Sequence, residues 1–95
     1  VECDKEISFE WMRIPHFYYN FYVYKYAVGL SCATKIVNGI LSGNKEARDS
    51  YLNFLKTGGS DYPANELLVA NVDVLDENLY KAAIQTFDRL IDEYM

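Results

Sequence analysis

Between Phe17 and Ser42 the chain carries no proline and only two charged residues, Lys25 and Lys35. Nothing else in the sequence constrains the fold as much. Pro15 biases Ile14 away from helix, so a helix is predicted to begin just after it. Gly29 and Gly39 are its weak points, and Gly43 supplies a C-terminal stop. A helix over 17–42 would be about 37 Å long at the standard rise per residue. It would be apolar on nearly every side, which is the pattern of a helix inside a large protein or a membrane. A membrane span is not expected, because Arg13, Lys25 and Lys35 hold the uncharged runs to eleven residues at most. A span requires ~18. The remaining segments are too short to wrap such a helix. The chain is therefore expected to have been separated from its surroundings, either an upstream part of the same polypeptide or a partner subunit. A first residue of Val1 rather than Met fits a processed protein and an excised fragment equally.

The remaining signals are also helical. Residues 1–13 mix charges with Ile7, Phe9, Trp11 and Met12 and read as a lead-in. Asn44 is a candidate N-cap for a helix over 44–56 that ends at Gly58 and Gly59. Ser60 can cap a short third helix over 62–71, with Pro63 in its first turn. Asp76 can cap a last helix over 77–94. There Tyr80, Ala83, Ile84, Phe87, Leu90, Ile91 and Tyr94 share one face. No stretch alternates convincingly enough to be a strand, and no repeat is present. The expected class is all-α.

The net charge of -5, from 14 acidic and 9 basic residues, argues against a nucleic-acid or anionic-membrane surface. Cys3 and Cys32 make no disulfide framework and read as free thiols in a reducing compartment. The acidic opening "VECDKEISFE" lacks the apolar region of a signal peptide. With one histidine, two distant cysteines and no HExxH, CxxC or HxxxH, the chain is expected to bind no metal specifically. No spacing pairs Cys32 or a serine with His16 as a nucleophile and base. "TGGS" lacks the lysine of a phosphate loop.

What stands out is aromatic. "IPHFYYNFYVYKYAVG", residues 14–29, holds the sole histidine and five of the nine tyrosines. His16 either caps and packs a helix start or serves as a donor facing a site. Tyr19, Tyr22 and Tyr26 would share one helical face, with Tyr18, Phe21 and Tyr24 pointing elsewhere. They either pack, each hydroxyl finding a partner, or line a cleft where water or substrate satisfies them. Asp88, Asp92 and Glu93 read as a solvated face.

At these residues the sequence resembles a known family. "WMRIPHFYYNFYVYKYAVG" and "YLNFLKTGGSDYPANELLVANVDV" resemble the C-terminal catalytic-domain segment of oligoendopeptidase F, one of the thimet-oligopeptidase-like zinc metallopeptidases. The likeness covers about residues 9–76 well and the tail in character only. The two motifs together are specific. The resemblance implies a mostly helical shell around a deep cleft, with zinc held by two histidines of HExxH and a later glutamate. All of these lie upstream of the matching segment, so residues 1–95 would be the C-terminal part of a peptidase catalytic domain without its zinc-binding part.

The resemblance also implies roles. His16 matches the family's histidine, and Tyr22 and Tyr24 match tyrosines that face the substrate carbonyl, Tyr24 as the chief donor. Negative charge grows on that oxygen during attack, and losing one preorganised donor typically costs ~2.7–4 kcal/mol. A neutral phenol suits the task because it keeps its proton at neutral pH. Tyr19, Gly58 and Gly59 are the candidate substrate contacts, with packing and a simple turn as their plainer readings. The expected parent is a cytoplasmic zinc endopeptidase acting on short peptides. Its expected partners are the peptide and the rest of the polypeptide, with no nucleic acid and no membrane. The 95-residue piece alone would be inactive and prone to self-association. The alternative is a stand-alone helical interaction module that buries its aromatic helix against a partner or its own copy.

Overall fold

A computed structural model describes residues 3–95, so the first two residues of the expected lead-in lie outside it. Two 3-10 segments, Lys5–Arg13 and Pro15–Tyr18, precede four α-helices: α1 (Tyr24–Leu41), α2 (Lys45–Thr57), α3 (Pro63–Val69) and α4 (Glu77–Tyr94). The described residues contain no strand, and the chain is all-α.

The largest departure from expectation is the start of α1, which lies seven residues beyond Phe17. Tyr19 is extended (φ -90, ψ 120) and Phe21 adopts a positive φ of 55°. Neither conformation fits within a right-handed helix. The chain therefore turns over residues 19–23 before α1 begins at Tyr24 without a side-chain cap. Aromatic and β-branched residues have only middling helix propensity, so ring contacts across this turn can outweigh helix continuity. The 18 residues of α1 span about 27 Å, about two turns less than predicted. The lead-in also differs, forming a nine-residue 3-10 helix that buries none of its side chains.

The later helices follow their signals closely. Asn44 accepts hydrogen bonds from the Glu46 and Ala47 amides at 2.9 and 3.2 Å, and α2 ends where Gly58 turns left-handed at φ 62°. Gly39 has a packing reason, since a Cβ built there would lie 3.1 Å from the Ala47 Cβ. α1 and α2 therefore cross closely at that point. Ser60 does not cap α3. Tyr62 occupies the N-cap, and Asp61 ties the turn together by accepting from the Tyr62 amide at 2.7 Å and the Asn65 side chain at 3.1 Å. The third helix is shorter than 62–71 because Asn71 adopts φ 58°, with Asn71 and Val72 donating back to Leu68 and Leu67. Asp76 caps α4 through the Asn78 amide at 3.0 Å.

The core is small. Cys32, Ala70, Val72 and Leu79 are buried, with Val28, Ile36, Phe54, Leu67, Val74 and Tyr80 packed around them. Between helices, Asn38 of α1 donates to Thr86 of α4 at 3.1 Å. α1 buries only Ser31 and Cys32, and Ile84, Phe87 and Tyr94 on the apolar face of α4 stay exposed. The accessible surface is 8004 Å², whereas a compact monomer of 11.0 kDa would show ~5600 Å². The radius of gyration is 16.8 Å, against ~12.4 Å for a compact domain of this length. Among the described residues, Leu30, Val37 and Leu41 of the apolar helix stay exposed.

Candidate active site

Pro15 opens a single 3-10 turn that holds His16, and the extended Tyr19 and left-handed Phe21 then fold the chain back. His16 and Tyr22 are thereby brought together, with ring centres 5.3 Å apart. Tyr19 meets His16 edge-on at 6.3 Å and Tyr22 at 5.9 Å. Tyr22 in turn meets Tyr26, on the first turn of α1, at 5.7 Å, and their hydroxyls share a hydrogen bond of 3.0 Å. Tyr19, Tyr22 and Tyr26 do cluster, but through a turn rather than on the shared helical face expected from their spacing. Edge-to-face rings of this kind attract through their quadrupoles.

Lys25 completes the group. Its ammonium lies 3.8 Å from the centre of the Tyr22 ring and 5.5 Å from that of Tyr26, a cation held over an aromatic face. The Tyr26 hydrogen bond, then the Lys25 ammonium as a donor, hold the Tyr22 phenol below its ordinary pKa. Tyr26 is pushed above its own, chiefly by the same hydrogen bond to Tyr22. A phenol that gives up its proton more readily is a stronger hydrogen-bond donor. Sequence reading overlooked Lys25, although its i, i+3 spacing from Tyr22 on a turn leading into helix is the signal that would have found it.

Tyr24 stands apart from these ring contacts. Its side chain, 64% exposed, lies at the mouth of an apolar groove of about 520 Å³ that runs along α1 toward Ile40. Tyr51, Phe54 and Leu67 form the opposite wall. The Cys32 thiol lines its floor, and burial pushes that thiol's pKa up, leaving it protonated at neutral pH. Gly58 and Gly59 both carry positive φ and form the stop after α2. Gly59 lines a separate recess with Asp61, Tyr62 and Pro63, which none of the aromatic cluster shares. Among the described residues no three histidine, cysteine or carboxylate side chains converge as metal ligands, so this donor set does not fit zinc. No helix of the described residues is long and apolar enough to cross a membrane.

A histidine clustered with several phenols at one turn can donate hydrogen bonds to a substrate oxygen. Comparison with known proteins gives the family. The model of Peptidase family M3 matches residues 2–86, and the chain belongs to that family. It is 49% identical over 90 residues to oligopeptidase PepF of Bacillus subtilis, covering 95% of this chain and 13% of that protein. It is 45% identical over 87 residues to group B oligopeptidase PepB of Streptococcus agalactiae, covering 92% and 14%. A plasmid-encoded oligoendopeptidase F of Lactococcus lactis is 42% identical over 93 residues, covering 98% and 16%. The chain thus spans 13–16% of the length of these curated relatives. No solved structure gives a significant match.

Proposed function

We propose that this chain is the C-terminal segment of a zinc-dependent endopeptidase that cleaves short peptides in the cytoplasm. The observation that carries the reading is the match to a peptidase family across residues 2–86, in a chain whose own core is too small to cover its apolar helix. On this reading zinc is held by polypeptide outside the chain, and the chain supplies donors. As water attacks the peptide carbonyl, charge develops on oxygen, and hydrogen bonds already aimed there are worth most. Tyr24 is the chief donor, since its ring is exposed while the Tyr22 hydroxyl is engaged by Tyr26. Tyr22 is the second donor. His16, against the Tyr22 ring, contributes a further N–H or a proton. Tyr19 contacts substrate beside it, and the Gly58–Gly59 turn offers backbone amides to a peptide.

The segment alone is inactive, because no metal donor set converges among the described residues, and the exposed apolar surface drives it to self-associate. A stand-alone interaction module would expose the same surface, so the two readings part on what is encoded upstream. Sequencing the transcript before the codon for Val1 tests this. An in-frame HExxH followed by a glutamate is the expected result, and a start codon near Val1 without that motif overturns it.

A further inference from the structure

Gly29 is the sixth of the 18 residues of α1, inside the helix, where glycine is weaker than alanine because it surrenders the most backbone entropy. Nothing within the described residues requires it. Its φ is not positive, and a Cβ built on it meets no atom within 4 Å. Gly39, by contrast, is explained by Ala47. Gly29 opens into the 520 Å³ groove together with Ala33, one turn further on, while Val28, Ile36, Val37 and Phe54 rise around them. Small residues one turn apart let a second helix axis approach closely, since the distance between packed helices depends on the side chains at the contact.

We propose that an apolar α-helix of the same polypeptide, N-terminal to Val1, lies in this groove and crosses α1 over Gly29 and Ala33. The inference rests on the reading that the chain is one segment of a longer peptidase. The groove follows α1 from Tyr24 to Ile40, about 24 Å, which is the length of a helix of about 16 residues. Relatives are six to eight times as long as the matched segment, since it covers 13–16% of them. The surface exceeds that of a compact monomer by ~2400 Å². A pair of copies meeting through a standard interface would hide only ~800 Å² on each. Most of the excess would then stay bare. A second copy could cover it only through an obligate interface of ~2000–5000 Å² in total, whereas polypeptide six to eight times as long supplies that cover directly.

Reagent labelling of Val37→Cys, in a Cys3→Ser background, tests the inference in the longer polypeptide and in the 95-residue chain. Val37 is 49% exposed in the chain, so the occupied groove should slow labelling at least tenfold in the longer form. Gly29→Phe provides the second reading. It should leave the helicity of the chain unchanged or raised, yet lower the thermal midpoint of the longer polypeptide by 5 °C or more. Equal labelling in both forms overturns the proposal, and if that polypeptide still cleaves a quenched fluorescent peptide, the peptidase reading survives. A longer polypeptide without peptidase activity overturns both. The chain is labelled at a dilution where it sediments as a monomer. Slow labelling of the longer polypeptide only where it sediments as a dimer then assigns the groove to a second copy and also overturns the proposal.

Discussion

The hydroxyls of Tyr22 and Tyr26, one turn apart at the entry to α1, meet at 3.0 Å. Lys25, between them in sequence, holds its ammonium 3.8 Å from the centre of the Tyr22 ring. The two phenols are therefore unequal. As pH rises, Tyr22 loses its proton first, because Tyr26 donates to the phenolate and Lys25 stabilises its charge. Tyr26 then resists ionisation beside that phenolate.

This ordering predicts the titration. With ring-labelled tyrosine followed by NMR, the Tyr22 signal should move below the ordinary tyrosine range and that of Tyr26 above it. Tyr26→Phe should carry Tyr22 back toward the ordinary value. Lys25→Gln should do so by a smaller step. Since a phenolate cannot donate, any donor role of Tyr22 should fade at lower pH than for an ordinary tyrosine. Identical titration of the two residues would contradict the geometry.

The α2 cap is a local test of stability. Asn44→Ala removes the acceptor for two amides and should lower stability by about 1 kcal/mol, while Asn44→Asp should retain most of it. Thermal unfolding followed by circular dichroism reads both.

How much of this was legible beforehand depended on how local the cause was. Asn44, Gly58 and Asp76 mark helix ends through hydrogen bonds or φ values within a few residues, and the sequence carries such signals openly. The start of α1 was not legible. Its turn depends on rings at His16, Tyr19, Tyr22 and Tyr26 gathering across a left-handed Phe21, and periodicity alone favours an unbroken helix. The unmet apolar demand of α1 was readable, because its Leu, Ile and Val residues outnumber anything the other helices can cover. The groove was not, since it arises from the crossing of α1 and α2 at Gly39 and Ala47.

That crossing makes its own prediction. Gly39→Val would push a branched side chain against the Ala47 Cβ, which already lies 3.1 Å from a built Cβ. It should cost about 1–3 kcal/mol through overpacking, read as a lower midpoint in denaturant unfolding.

The core and surface leucines should separate sharply. Leu79, 2% exposed, should lose about 2–5 kcal/mol on replacement by alanine. Leu75, 90% exposed, should change by less than about 0.5 kcal/mol. Urea unfolding of both variants under one set of conditions makes the comparison.

The central claim is that Tyr24 and Tyr22 donate to a peptide carbonyl within a longer peptidase. It is tested most directly by steady-state cleavage of a short quenched fluorescent peptide by that polypeptide, wild type against Tyr24→Phe and Tyr22→Phe. Removing a donor to a developing oxyanion lowers kcat by about 10²–10³-fold. The account predicts a loss of that order for Tyr24→Phe, a smaller one for Tyr22→Phe, and KM changed little in either. A kcat within twofold of wild type for both variants would contradict it and return these tyrosines to packing.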